Sequence, residues 1–155
     1  MTHHYRPAKF EDCAELAPNM RKQDAEEVWA SSGLNPIGAL QQSFKGSYEC
    51  NSIIHEDGDV VGMFGVSDNK IFAMPWLLGS DKLLDTKKEF IPQAVEWVDR
   101  MSSLHPILTN FVCKKNTVAI RWLETLGFDF VKTIDKFGVG QIPFIQFVRI
   151  TKCVE

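Results

Sequence analysis

Apolar residues along this chain recur in two rhythms, and the switches between them mark its elements. Tyr5-Arg6-Pro7-Ala8 reads as a short opening strand ended by proline chemistry. Asp12, with Glu15 three residues on as its back-reaching partner, reads as a helix cap. Cys13 to Ala17 therefore starts helical until Pro18 interrupts it. Helical character resumes from Lys22 to Ser32, with Ala25, Val28 and Trp29 on one face, and stops at Gly33. Asn35-Pro36 then opens a further helix, whose buried stripe is Ile37, Leu40 and Phe44.

A period of two follows. Ser52 to Ile54 and Val60 to Val66 are strand runs separated by Glu56-Asp57-Gly58-Asp59, an Asp-Gly hairpin turn. Gly62 and Gly65 inside the second run imply a bulge or a close backbone approach. Lys70 to Leu78 is a third strand. Pro75 near its end has no ladder donor, so pairing should weaken or end there.

From Ser80 to Ser103 the period is helical again. Leu84, Ile91, Val95 and Val98 form one stripe, with Phe90, Ala94, Trp97 and Met101 beside it. Two courses are open: a main helix begins at a Thr86/Glu89 capping box and carries Pro92 early, or a longer helix kinks at Pro92. Ile107 to Val112 is a strand, and Asn116 to Leu126 is a helix stopped by Gly127. Phe128 to Ile134 and Ile142 to Ile150 are the last strands, joined by a loop holding Gly138 and Gly140. This order predicts a single α/β domain over residues 1–155, with a mixed central sheet of about six or seven strands and helices on both faces.

Composition adds mainly exclusions. An apolar fraction of 45% and a charged fraction of 24% over 155 residues are those of an ordinary globular domain. Eleven Phe and four Trp supply apolar area, and Phe72, Trp76, Trp97 and Trp122 are expected mostly in the core. The net charge is −3 and cations cluster only as short pairs such as Lys87-Lys88 and Lys114-Lys115, which argues against a nucleic-acid surface. Cys13, Cys50, Cys113 and Cys153 form no C-x-x-C pair, and His3, His4, His55 and His105 lie at no ligand spacing from them. Reduced thiols and no metal are expected. Met1 to Lys9 is short and polar, unlike a signal peptide, and runs such as Ile71 to Leu78 are far too short to span a bilayer. The expected setting is a cytoplasm, or a particle packaged from one, with no secretion and no membrane.

Three motifs occur in order along almost the whole chain. They are Tyr5-Arg6-Pro7-Ala8 with Asp12 and Ala14-Glu15-Leu16, the hairpin Asp57-Gly58-Asp59-Val60-Val61-Gly62, and the run from Asn116 through Ala119 to Leu126-Gly127-Phe128. Together they resemble the opening strand and first helix, the second-to-third strand turn and the fourth-helix signature of the GNAT superfamily, the acetyl-CoA-dependent N-acetyltransferases. In the last motif the asparagine caps the helix, the small alanine lets it approach the sheet, and the glycine ends it.

The resemblance implies direct attack of an amine on the thioester of acetyl-CoA. The protein would then cradle a pyrophosphate, polarise the thioester carbonyl, deprotonate the amine and protonate the departing thiolate. In the family the cradle is an Arg/Gln-x-x-Gly-x-Gly/Ala loop at a helix N-terminus. The matching stretch here is Met74-Pro75-Trp76-Leu77-Leu78-Gly79-Ser80-Asp81. Only Gly79 survives; the basic position falls on Met74 and the first glycine on Leu77. Asp81 sets a carboxylate where an anion would lie, partly offset by Lys82. By this resemblance the cofactor-contacting positions are Met74, Trp76, Leu78, Gly79, Ser80 and Asn116, in a site expected to be degraded.

Seven residues after Asn116, where many members carry a tyrosine as general acid, stands Leu123. Glu49, His55 and Asp68 flank strands as candidate bases, with nothing to place them in a cleft. Cys113, near the end of a strand where the family's sheet splays, is either a reactive thiol or a small buried hydrophobe. No catalytic residue is assigned.

The Asn116 to Phe128 stretch, with its apolar residue at the tyrosine position, is also similar to small GNAT-like internal virion or core proteins of podovirus-type phages. That narrower resemblance implies a phage protein of the host cytoplasm or the virion, with protein partners and no acetyl transfer. Two alternatives stay open: an active N-acetyltransferase with a divergent phosphate loop, and a host-directed binding module.

Overall fold

The structure, a computed structural model, describes residues 4–151, so His3 and Cys153 lie outside it. Seven strands alternate with five α-helices: β1 (Tyr5–Pro7), α1 (Asp12–Leu16), α2 (Lys22–Ser32), α3 (Pro36–Gly46), β2 (Glu49–Ile54), β3 (Val60–Asp68), β4 (Ala73–Gly79), α4 (Lys87–Leu104), β5 (Ile107–Cys113), α5 (Thr117–Thr125), β6 (Asp129–Phe137) and β7 (Ile142–Ile150). They form one mixed sheet in the order β1-β2-β3-β4-β5-β7-β6, in which only β4 and β5 run parallel. Helices cover both faces, as the element order predicts. α4 and α5 pack over a core that includes Val61, Phe64, Phe90, Trp97, Met101 and Leu108, while α1 and α3 cover Leu16, Leu40, Met63 and Leu78 on the other face.

Several local expectations change. Asp12 is not a cap: Glu11 holds that place, and the Asp12 carboxylate accepts from the Lys9 N–H, Ser52 Oγ and the Arg6 guanidinium. Glu15 does not reach back either, because its carboxylate takes the Val60 N–H at 2.6 Å and so ties α1 to β3. The third strand of the hairpin meander, β4, begins at Ala73, because Asn69 Oδ1 accepts the Ile71 and Phe72 N–H groups and closes a turn there. The segment after β4 is a 3₁₀ helix (Asp81–Thr86), and α4 starts at Lys87 with Pro92 near its beginning. No Thr86/Glu89 box forms, since the Thr86 hydroxyl donates to the Leu83 carbonyl instead.

Two helix faces also differ. In α4 the fully buried apolar positions are Phe90, Ala94, Trp97, Val98 and Met101, with Ile91 and Val95 at the flank. In α2 the expected stripe fails. Trp29 is 54% exposed, whereas Asp24 is 5% exposed, because this helix meets the sheet through carboxylates that satisfy strand-edge N–H groups. At Gly65 a Cβ would lie 2.6 Å from the Glu49 carbonyl oxygen, which is the close backbone approach the sequence implies.

Candidate functional site

The sheet opens between its two parallel strands. β4 and β5 pair only at Ala73 and Leu108, then splay. The direction of every edge group follows from the neighbouring ladders. Ser80 N–H donates to Val61 C=O, so residues 76, 78 and 80 turn their peptide groups to β3, and residues 73, 75, 77 and 79 turn theirs to β5. Likewise Lys114 N–H donates to Pro143 C=O, which turns residues 109, 111 and 113 toward β4.

Pro75 is the first interruption. It stands on the side facing β5 and has no N–H to give, so the ladder to β5 loses a rung there, whereas the ladder to β3, where the sequence also predicts weaker pairing, runs on unbroken to Gly79. Asn110 fills the break: its Nδ2 donates to the Pro75 carbonyl at 3.0 Å, and its Oδ1 accepts the Phe111 N–H at 2.9 Å. Farther out α2 supplies a carboxylate to each strand. Asp24 accepts the Gly79 N–H at 3.0 Å; Glu27 accepts the Cys113 N–H at 2.5 Å. Arg21 completes this end, its N–H donating to the Gly79 carbonyl and its guanidinium pairing with Asp24 at 3.0 Å. The Leu77 N–H and C=O, between these two closures, face the gap.

Behind the gap lies a cavity of about 290 Å³. Phe64, Phe90, Trp97, Trp122 and Leu123 wall it on the α4/α5 side, and Arg21, Asp24 and Glu27 stand at the other end. Burial raises the Asp24 carboxyl above the ordinary carboxylate range, against the pull of the Gly79 N–H and Arg21. Burial likewise pushes Glu27 up to about 7, so this carboxyl changes charge near neutrality. Such a group in a cleft can accept or hold a proton.

Of the positions carried over from the family, Trp76 and Leu78 line the cavity. Trp76 anchors its indole N–H on Ser47 Oγ at 2.7 Å, and Leu78 is buried against the α1/α3 side. Met74 is half-buried opposite Ser67. Gly79 is held by Asp24, and a Cβ there would collide with Leu83 Cδ2. Ser80 spends both its N–H and its hydroxyl on the Val61 carbonyl. Asn116, 1% exposed, caps α5 through the Ala119 N–H and donates to Asp24 at 3.1 Å.

Glu49, His55 and Asp68 do not line the cavity. Glu49 instead binds the Trp97 indole, Asn51 and Arg100. Cys113 is buried, with its sulfur in an apolar cluster beside Ala30 and Phe144. Sequence reasoning missed Asp24, Glu27 and Asn110. The signal for the first two was an acid pair at i,i+3, in line with Val28 and Ser31 on a helix whose apolar stripe was weak. Among the described residues no group of three or more His, Cys, Asp or Glu side chains could hold a metal ion, and no helix is long and apolar enough to cross a membrane.

A seven-stranded mixed sheet opening between parallel β4 and β5, with helices on both faces, is the GNAT acetyltransferase fold. Solved structures agree along nearly the full length. A GNAT-family acetyltransferase from Bacillus anthracis superposes with a TM-score of 0.70 at 10% identity, covering 94% of this chain and 93% of that one. A phosphinothricin acetyltransferase from Sinorhizobium meliloti, solved in complex with AcCoA, gives 0.70 at 15% identity, over 100% and 95%. The ribosomal-protein-S18-alanine N-acetyltransferase from Escherichia coli gives 0.68 at 11% identity, over 97% and 95%. Identities this low establish the fold alone. No curated protein matches the chain significantly. At the level of sequence, residues 53–134 match the family model described as bacteriophage T7, probable scaffold protein Gp13, and the chain belongs to that family.

Proposed function

We propose that this protein serves phage particle assembly through protein contacts, and that its acetyltransferase fold is kept without acetyl transfer. Family membership supplies the assembly context. One observation supports the rest: at Gly79 and Ser80, the positions that the resemblance matches to the family's phosphate loop, the main-chain donors are already taken by the protein's own groups. Gly79 gives its N–H to the buried Asp24 carboxylate, Leu83 lies over Gly79, and Ser80 is spent on Val61. The nearby cations are matched as well, Arg21 by Asp24 and Lys82 by Asp57 and Asp59. A six-residue 3₁₀ segment separates β4 from α4, so the long helix presents no N-terminus to an anion at the end of β4. Placement in the host cytoplasm and the assembling particle belongs to the same proposal. Mass spectrometry of purified virions and of assembly intermediates tests it: the protein is expected in at least one, and absence from both contradicts the assembly role.

A second reading, acetyl-CoA-dependent transfer with a divergent loop, is favoured by one feature. The Leu77 N–H faces the gap, where it could donate to a thioester carbonyl, and Glu27 could serve as a base beside it. On that reading a glycine-rich loop restored over residues 74–79 raises acetyl-CoA affinity. No gain from any such variant counts against it.

A further inference from the structure

The open groups of the splayed strands have a definite chemistry. Asn110 has closed the inner rung, while Asp24, Glu27 and Arg21 have closed the outer ones. Between them the strand alternation leaves one main-chain donor facing the gap, the Leu77 N–H. It leaves acceptors at Leu77 and Phe111, while the Thr109 carbonyl, deprived of its rung by Pro75, lies inside the Asn110 closure. A ligand here must offer N–H groups on both sides and accept one hydrogen bond. An extended peptide does this in every two-residue repeat.

The surroundings narrow the class. At the α2 end Asp24 and Glu27 line the cavity beside one guanidinium, Arg21, which already pairs with Asp24, so that Glu27, once ionised above about pH 7, leaves this end negative. That balance disfavours an anion and suits a basic side chain. The other end of the same cavity, whose volume is about 290 Å³ in all, is walled by aromatic and aliphatic side chains and suits one large apolar side chain.

We propose that the gap between β4 and β5 is a strand-insertion site, which takes an extended segment of a partner protein carrying a basic residue beside a large apolar one. The segment bonds Leu77 and Phe111 as a short added strand, with its apolar side chain at the aromatic end of the cavity and its cation at the α2 end. Asn110 sets the depth of insertion. The mode is β-augmentation within a sheet rather than at its edge. It rests on the protein-contact reading and names the site where that contact is made.

The test uses the intact purified protein and blocked hexapeptides, N-acetylated and C-amidated, in a positional library. One position carries Lys, Arg, Ser or Glu, and its neighbour Phe, Leu or Gly. Titration is expected to favour basic–apolar pairs at least about tenfold over Glu- or Gly-containing ones. Bound peptide should slow hydrogen exchange of the Leu77 amide by a similar factor. Leu77→Pro removes that donor without touching the β3 ladder, on the same side of the strand as the natural Pro75, and should abolish binding. If that variant fails to fold, the Leu77 exchange measurement on the unaltered protein decides alone. No sequence preference, or a bound peptide that leaves Leu77 exchange unchanged, overturns the proposal. So does protection of Leu77 by acetyl-CoA with none by any peptide, which would make the gap a cofactor site. The outcomes separate the two readings. Peptide failure in a protein still found in particles overturns insertion alone, while peptide binding in a protein absent from particles overturns the assembly role alone.

Discussion

β4 is held by different physics at its two ends. At Ala73 it meets Leu108 through ordinary parallel pairing, and both residues are fully buried. At Gly79 there is no strand on the β5 side, and the peptide group is held by Asp24 and Arg21 from the start of α2. Main-chain pairing buries neutral groups that satisfy each other and responds little to pH. A carboxylate used as a strand substitute must be buried to reach the N–H, and its own charge is then opposed by its surroundings. The sheet can therefore open without orphaned amides, but the open end depends on the protonation and shape of a few side chains.

Breaking the carboxylate end should have the largest effect. Asp24→Ala strips partners from the Gly79 N–H, Asn116 Nδ2 and the Arg21 guanidinium at once. A loss of about 3–5 kcal/mol in unfolding free energy is expected by chemical denaturation, and a loss below about 1 kcal/mol would show that water replaces the carboxylate freely.

Glu27 separates the ends by pH. Its folded value is raised from 4.5 to about 7, so the folded chain holds a proton that the unfolded chain has released. The stability this proton contributes is fully present below pH 4.5 and is lost as pH rises through about 7. Glu27→Gln stays neutral throughout. The stability of wild type relative to the variant should fall by about 3 kcal/mol between pH 4 and pH 8, on the scale of about 1.36 kcal/mol per unit. A pH-independent difference would mean the carboxyl is not desolvated.

Asn110→Ala should cost about 2 kcal/mol, because it leaves the Phe111 N–H and the Pro75 carbonyl without partners. Pro75→Ala is the mildest change and the most informative about where the gap begins. It supplies the missing donor, with a net stability change within about 1 kcal/mol, since a gained hydrogen bond opposes the freer unfolded chain. Hydrogen exchange should find the new amide at position 75 protected against the Thr109 carbonyl. Rapid exchange of that amide would show that splaying does not begin at the proline.

The sequence made one half of this contrast legible. Pro75 in a strand pattern predicts failing pairing, and the GNAT-like motifs predict the mixed sheet in which a gap belongs. The other half was hidden because it is long-range. Glu27 reaches Cys113 across 86 positions and Asn116 reaches Asp24 across 92, and local periodicity carries no trace of either. α2 is the clear case: Ala25, Val28 and Trp29 looked like its buried face, yet the helix turns its acids inward because strand-edge amides need acceptors there. For the same reason the stretch from Met74 to Ser80 could be read as a lost phosphate loop without showing that Asp24 holds the Gly79 N–H.

Isothermal titration of the purified protein with acetyl-CoA, with CoA as the control, decides whether the fold still holds its cofactor. No heat of binding and no thermal stabilisation up to millimolar ligand are expected, because Asp24 already takes the Gly79 N–H and Leu83 lies against Gly79. Binding at micromolar strength would contradict that expectation, and would make Leu77 and Glu27 parts of a working acetyl-transfer site.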